Sequence, residues 1–183
     1  MVKVLYSIAE QAAEGREIRL KQEWTAPHTC PTQRVDASWI DYNGHLNMAY
    51  YHVMFDRAVD HVYDGLGIGA SYVEHAQGSC FTMEVHVNYV NELVLDDPVQ
   101  ITWQLLDHDS KRLHYYQEMF HAETGQLAAT SEQLAMHVDM RQRASAPFPQ
   151  QPYQAICELM ARHRSLPVPE RVGQRMGIRR KSS

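Results

Sequence analysis

The chain has 183 residues, 44% of them hydrophobic and 21% charged, with a formal net charge of −5. That length supports one packed domain plus an appendage, and the acidic balance argues against a nucleic-acid partner because no basic stripe dominates the body. No apolar run is long enough to predict a membrane span, and the N-terminus lacks the small-residue cleavage site of a secretory signal. Cys30, Cys80 and Cys157 are too far apart and too few for a disulfide framework or a zinc ribbon, so a reducing cytoplasm is the expected compartment.

In chain order, residues 4–14 read as an amphipathic helix closed by Gly15, followed by the proline-containing connection WTAPHTCPTQ. QRVDASWI reads as a first strand leading into WIDYNGHLNMAYY. From Met48 to Leu66 the period is helical. Tyr51, Phe55, Ala58, Val59, Val62 and Leu66 form one apolar stripe, Asn47 is the expected N-cap, and Gly65, Gly67 and Gly69 end the run.

After Gly78 the period changes to two. In FTMEVHVNYV, Phe81, Met83, Val85, Val87 and Tyr89 are expected on one face, with Thr82, Glu84, His86 and Asn88 on the other. VQITWQL places Val99, Ile101, Trp103 and Leu105 inward, and RLHYYQEMFH is a further strand. QLAMHVDM is another, with Leu134, Met136, Val138 and Met140 on one face, and short polar connections between these runs predict antiparallel neighbours. One strand, one long helix and four antiparallel strands make an α+β order. Residues 152–163 read as a terminal helix with Ile156, Leu159 and Met160 on its apolar side. Arg171, Arg175, Arg179, Arg180 and Lys181 then mark either a solvated tail or a surface for the phosphates of an anionic ligand. The expected division is an N-terminal appendage (1–24), a main domain (25–147) and a C-terminal helix with a basic tail (148–183).

Asp41-Tyr-Asn-Gly44 taken alone is a turn. Its position directly before a helix N-terminus is what makes it a candidate site. Free N–H groups and the helix dipole there favour developing negative charge, and a carboxylate beside them is half of an acyl-transfer apparatus.

With these residues the segment resembles the hotdog-fold acyl-CoA thioesterases of the 4-hydroxybenzoyl-CoA thioesterase type. The shared pattern is an aspartate, a glycine and histidine, and a tyrosine early in the helix, here Asp41, Gly44, His45 and Tyr51, with Asn47 matching an asparagine after the histidine. The resemblance spans residues 34–140. It implies a hotdog fold, an antiparallel five-stranded curved sheet wrapped around one long central helix, with helical segments added at both ends. It also implies that Asp41 is the catalytic carboxylate, as nucleophile or general base, and that the Met48 backbone N–H polarises the thioester carbonyl. Gly44 would allow close backbone approach, while His45 and Asn47 would orient; His45 reads equally well as a turn residue packing its ring. Some relatives carry the carboxylate two turns into the helix, which here is Asp56. With Asp60, Asp56 reads instead as a polar stripe at i, i+4 spacing.

Coenzyme A enters as part of the substrate, with no separate cofactor. A homodimer or dimer of dimers is implied, with acyl sites between subunits and FTMEVHVNYV as the contact strand; no nucleic acid or membrane partner is expected. Trp39, Tyr42, Tyr50 and Tyr51 crowd the motif, either as turn packing or as a pocket for a cationic acyl group. WIDYNGHLNMAYY is also similar to thioesterase modules of carnitine breakdown, which act on betainyl-CoA. Two other readings stay open, an enoyl-CoA hydratase and a non-catalytic acyl-CoA-binding domain. DYNGH lacks the proline and the histidine spacing of the former, and no G-x-S-x-G supports an α/β-hydrolase. The histidines at 52, 61, 75, 86, 108, 114, 121 and 137 are scattered and predict no metal site, although Glu84 and His86 share a polar face that can line a cleft.

Overall fold

The computed structural model describes residues 23–76 and 78–178. The helix expected at 4–14 lies outside the described residues. Helix α1 runs Met48–Leu66, as the periodicity predicts, and every residue of the expected stripe is buried, joined by Met54 and Tyr63. Both ends are fixed by local chemistry. The Asn47 side chain accepts from the Ala49 N–H at 3.0 Å, and Gly67 closes the helix in the left-handed region at φ 75°. A short helix, α2 (Ala70–Ala76), follows.

Four long strands make the sheet: β3 (Gly78–Tyr89), β4 (Pro98–His108), β5 (Arg112–His121) and β6 (Leu127–Asp139). Three two-residue strands complete it: β1 (His28–Thr29), β2 (Gln33–Arg34) and β7 (Ala144–Ser145). The order is β1-β4-β5-β6-β3 with every pairing antiparallel, β2 also on β4 and β7 on β6, so among the described residues β3 is an open edge. This is the hotdog arrangement, one long helix against the inner face of an antiparallel sheet.

The helix is held there by apolar burial and by its own carbonyls. Val99, Ile101, Trp103 and Leu105 face it from β4, as expected, and are all essentially inaccessible. Gln33 Nε2 donates to the Met54 carbonyl at 2.8 Å and Gln117 Nε2 to the Phe55 carbonyl at 3.1 Å. Phe55 is buried among these contacts, and truncating such a ring to alanine typically costs about 3–5 kcal/mol.

Three expectations are corrected. QRVDASWI is not one strand: only Gln33–Arg34 pairs as β2, and Ala37–Trp39 is a 3-10 turn capped by Asp36, which accepts from the Ser38 N–H at 2.8 Å. In β3 a bulge between Thr82 and Glu84 breaks the alternation. Phe81 therefore pairs beside Met136 on the outer face while Val85, Val87 and Tyr89 pair with the inner-face positions of β6. In β6 the face is reversed. Ser131, Gln133, Ala135 and His137 are buried, whereas Leu134, Met136 and Val138 are half-buried on the outer face and Met140 is exposed. Polar residues occupy the core side because they satisfy one another. Gln133 donates to Gln117 and to Ser131 at 3.0 Å each and accepts from the Tyr115 hydroxyl at 2.9 Å.

The terminal helix α3 (Gln150–His163) starts slightly earlier than expected and buries Ile156, Leu159 and His163. His163 pins it to β4, with Nδ1 accepting the Leu105 N–H at 2.9 Å and Nε2 donating to the Thr25 carbonyl at 3.1 Å. The described part of the tail folds back on the outer face, where the Gly173 N–H donates to Glu132 Oε2 at 2.7 Å. Among the described residues, no helix is long and apolar enough to cross a membrane.

Candidate active site

The loop between the 3-10 turn and α1 is a closed lobe. Ile40 and Leu46 form an isolated bridge, the Asp41 N–H donates to the His45 carbonyl at 3.0 Å, and the Gly44 N–H donates to the Asp41 carbonyl at 3.0 Å. Gly44 sits at φ 83°, a conformation that glycine adopts without strain. The lobe is tied to its surroundings at both ends, by Asn47 N–H to the Trp39 carbonyl at 2.9 Å and Leu46 N–H to the Leu93 carbonyl at 2.7 Å. Asp41 is thereby fixed, half-buried, immediately before the helix. Its Oδ1 accepts from the Asn43 N–H at 2.8 Å, and Oδ2 bonds to no described residue.

The first helical turn is set up to receive an anion. The cap takes the Ala49 N–H, and the Asn47 carbonyl takes the Tyr50 N–H at 2.9 Å. The Met48 N–H bonds to no described residue, and Met48 is exposed. An amide left open at the positive end of a 19-residue helix is a donor for a developing oxyanion.

The other expected site residues divide. His45 Nε2 lies 3.3 Å from Glu92 Oε2 and makes no hydrogen bond to Asp41, and Asn47 is committed to the cap. The four aromatics do not converge on one cavity. Trp39 stacks on Tyr50 with centroids 5.5 Å apart, and the Arg57 guanidinium lies 4.9 Å over the Trp39 ring, so that face already holds a cation. Tyr42 is 97% exposed. Tyr51 is buried, edge-on to Tyr89 at 5.2 Å, with its hydroxyl donating to the Asn91 carbonyl at 3.4 Å.

Sequence reasoning missed the support from the far end of β3. The Tyr89 hydroxyl donates to the Met48 carbonyl at 3.3 Å, and Asn91, Glu92 and Leu93 each contact the lobe or the start of α1. No local spacing signals a contact across some forty residues.

Two of the cavities among the described residues flank the sheet, and Asp41 lines neither of them. The larger, about 740 Å³, is on the outer face, where Glu84 and His86 do line a cleft, with His114, Glu132, Arg112 and Arg175. His114 Nε2 is 2.8 Å from Glu132 Oε1 there. The smaller, about 310 Å³, lies between α1 and the start of β3 and includes Asp56 and Asp60. The Asp41 lobe thus sets a carboxylate with one free oxygen beside an open amide, and neither of these two cavities encloses it.

A family model described as thioesterase-like superfamily matches residues 35–159. The chain belongs to that superfamily. It is 38% identical over 140 residues to a betainyl-CoA thioesterase of Pseudomonas aeruginosa, covering 76% of this chain and 88% of that protein. It is 33% identical over 147 residues to an L-carnitine dehydrogenase/betainyl-CoA thioesterase of Rhizobium meliloti, covering 80% of this chain but 29% of that longer protein. Among solved structures, a Staphylococcus aureus protein in complex with CoA superposes with a TM-score of 0.78 at 28% identity, over 86% of this chain and 100% of that one. A putative thioesterase from Pseudomonas putida gives 0.74 at 30% identity, over 85% and 99%. The span matched by the family model contains the Asp41 lobe, α1 and the four long strands of the sheet.

Proposed function

We propose that the protein hydrolyses an acyl-CoA thioester bearing a short, cationic acyl group, betainyl-CoA being the best candidate, to the free acid and CoA. The observation that carries this reading is the pairing of the Asp41 carboxylate, one oxygen uncommitted, with the open Met48 N–H at the start of α1. The acyl group is suggested by the names of the relatives at 38% and 33% identity.

In the reaction the thioester carbonyl oxygen points at the Met48 N–H. Asp41 either takes a proton from a water that attacks the carbonyl carbon, or attacks that carbon itself to give an anhydride that water then opens. In both routes the C–S bond breaks, the electron pair leaves with the CoA thiolate, and the acid is released. One well-placed amide donor is typically worth ~3 kcal/mol of transition-state stabilisation. A single turnover in oxygen-18-labelled water bears on the routes: label in Asp41 identifies an anhydride opened at the aspartyl carbonyl, whereas label in the product alone is common to the base route and to an anhydride opened at the acyl carbon.

The working unit in this reading is a homodimer joined along β3, whose open edge carries exposed Phe81, Met83, Val85 and Tyr89. A second copy there supplies a wall for the Asp41 lobe. CoA is part of the substrate and no further cofactor takes part. The three free thiols fit the reducing cytoplasm expected for it.

Thiol release from betainyl-, acetyl-, benzoyl- and medium-chain acyl-CoA tests the proposal. Fastest turnover on betainyl-CoA is the expected result. A strong preference for a neutral long chain contradicts the acyl assignment, and tight retention of acyl-CoA without thiol release contradicts catalysis.

A further inference from the structure

A quaternary ammonium has no N–H to donate. It is recognised through its charge and its methyl surface, and an aromatic face answers to both. In a betainyl thioester the ammonium nitrogen is one methylene from the carbonyl carbon, about 2.5 Å away by standard bond lengths and angles. With the carbonyl oxygen at hydrogen-bond distance from the Met48 N–H, the cation falls within about 6–7 Å of that amide nitrogen. Its seat must therefore stand at the first turn of α1.

Of the aromatics expected to crowd this turn, none is suited to the task. Trp39 is stacked on Tyr50 and carries the Arg57 guanidinium 4.9 Å over its ring. Tyr51 is 4% exposed and faces the core. Tyr42 is 97% exposed, so a cation held there keeps its water, and the attraction is then at its weakest.

Tyr89 meets the requirement. It is the last residue of β3 and pairs opposite Ala129 of β6, which places its ring on the helix side of the sheet. Its hydroxyl donates at 3.3 Å to the carbonyl of Met48, the same residue whose N–H is open. Tyr51 meets the ring at 5.2 Å with the two planes 81° apart. Burial holds the Tyr89 phenol above its ordinary range, so it stays the protonated donor in this contact. The ring is thus fixed at two points, yet among the described residues Tyr89 remains 46% exposed. The pairing proposed for the dimer uses the backbone edge of β3, whereas this ring projects from the strand's face.

We infer that Tyr89 sets the acyl specificity: the ammonium group packs against its ring while the thioester carbonyl points at the Met48 N–H. The ring's negative face attracts the charge, and its carbon surface covers the methyl groups. A neutral acyl group of the same shape gains only the second. The assignment rests on the thioesterase reading and adds to it the residue that selects the charged ester. Glu92, beside His45, is another source of attraction for a cation, but its side chain is 68% exposed and screened by solvent.

The experiment compares kcat/KM for betainyl-CoA with kcat/KM for tert-butylacetyl-CoA, the neutral all-carbon isostere. Wild-type protein favours the charged ester. Tyr89→Leu lowers that preference roughly tenfold while its rate on the neutral ester holds, and Tyr89→Phe and Glu92→Gln each keep most of the preference. Phenylalanines with successively more ring fluorines, incorporated at position 89, retain the ring's shape and weaken its negative face, so the preference falls stepwise with fluorine count. That series decides the matter even where Tyr89→Leu fails to fold. A preference indifferent to fluorination overturns the assignment, as does one lost in Glu92→Gln but kept in Tyr89→Leu, and in either case hydrolysis still stands. Wild-type protein that cleaves both esters equally overturns the cationic acyl group together with the role of Tyr89. Wild-type protein that cleaves neither overturns the thioesterase reading itself.

Discussion

A carboxylate that closes an Asx turn has one oxygen committed to the backbone and one to spare. Asp41 is in that state, with Asn43 holding Oδ1. Beside it the helix presents a single open amide, because the Asn47 side chain and carbonyl take the next two. The Met48 side chain is 61% exposed and its removal costs little packing. This makes Met48→Pro an informative variant. Proline is well tolerated at the first helical position, and Asn47, at φ −63° and ψ 141°, already has the extended backbone that a following proline requires. The fold should persist with its melting temperature near wild type, while kcat falls by about 10²–10³ through loss of the donor. A Met48→Pro enzyme of full activity would place the oxyanion elsewhere. His45 shows the limit of residue-level reading: its sequence position left an orienting role and a packing role equally open, and its contact is with Glu92, far along the chain.

Among the elements, α1 was legible from end to end because a 3.6-residue apolar stripe, an asparagine cap and a closing glycine all agree. The strands β3 and β6 were found but their faces were not. A one-residue bulge at Thr82–Glu84 shifts the alternation of β3, and no residue type in FTMEVHVNYV announces it. In β6 the core side is polar, since Gln117, Gln133, Ser131 and Tyr115 form a closed hydrogen-bond network that a hydrophobicity pattern cannot anticipate. The docking of α3 depends on a similar detail. Burial lowers the His163 pKa, which fits its neutral role as acceptor for Leu105 and donor to Thr25. Burial, with the neighbouring His61 and His163 rings adding to it, also pushes His28 down from 6.5 to about 4. Both groups are neutral when folded and protonate more readily when unfolded. Their contribution is thus fully present above pH 6.5 and is lost as pH falls toward 4, by about 3 kcal/mol for His28 alone. Thermal melts should drop by several degrees between pH 7 and pH 4.5, and less so in a His28→Asn variant. A melting temperature flat across that range would contradict the buried neutral state.

At the scale of the whole molecule, the proposed dimer rests on one edge of the sheet. Among the described residues the twelve-residue strand β3 has a neighbour on one side only, and Phe81, Met83, Val85 and Tyr89 on it are exposed. The dimer expectation came from family resemblance, because a sequence shows that a strand exists and not that it ends a sheet. Met83, at the bulge and 56% exposed, is the place to test it. Met83→Lys adds a charge from each copy to the proposed β3 contact and should shift light-scattering mass toward the monomer, with activity falling in parallel. A fully active monomer would contradict an interface-borne site.

The most direct measurement of the central claim is single-turnover thiol release from betainyl-CoA by wild-type, Asp41→Asn and Asp56→Asn proteins of equal melting temperature. Placing the reactive carboxylate before α1 predicts a loss of about 10³-fold or more for Asp41→Asn and a much smaller one for Asp56→Asn. The opposite order, with Asp41→Asn near wild type and Asp56→Asn inactive, would move the chemistry two turns into the helix and contradict the account.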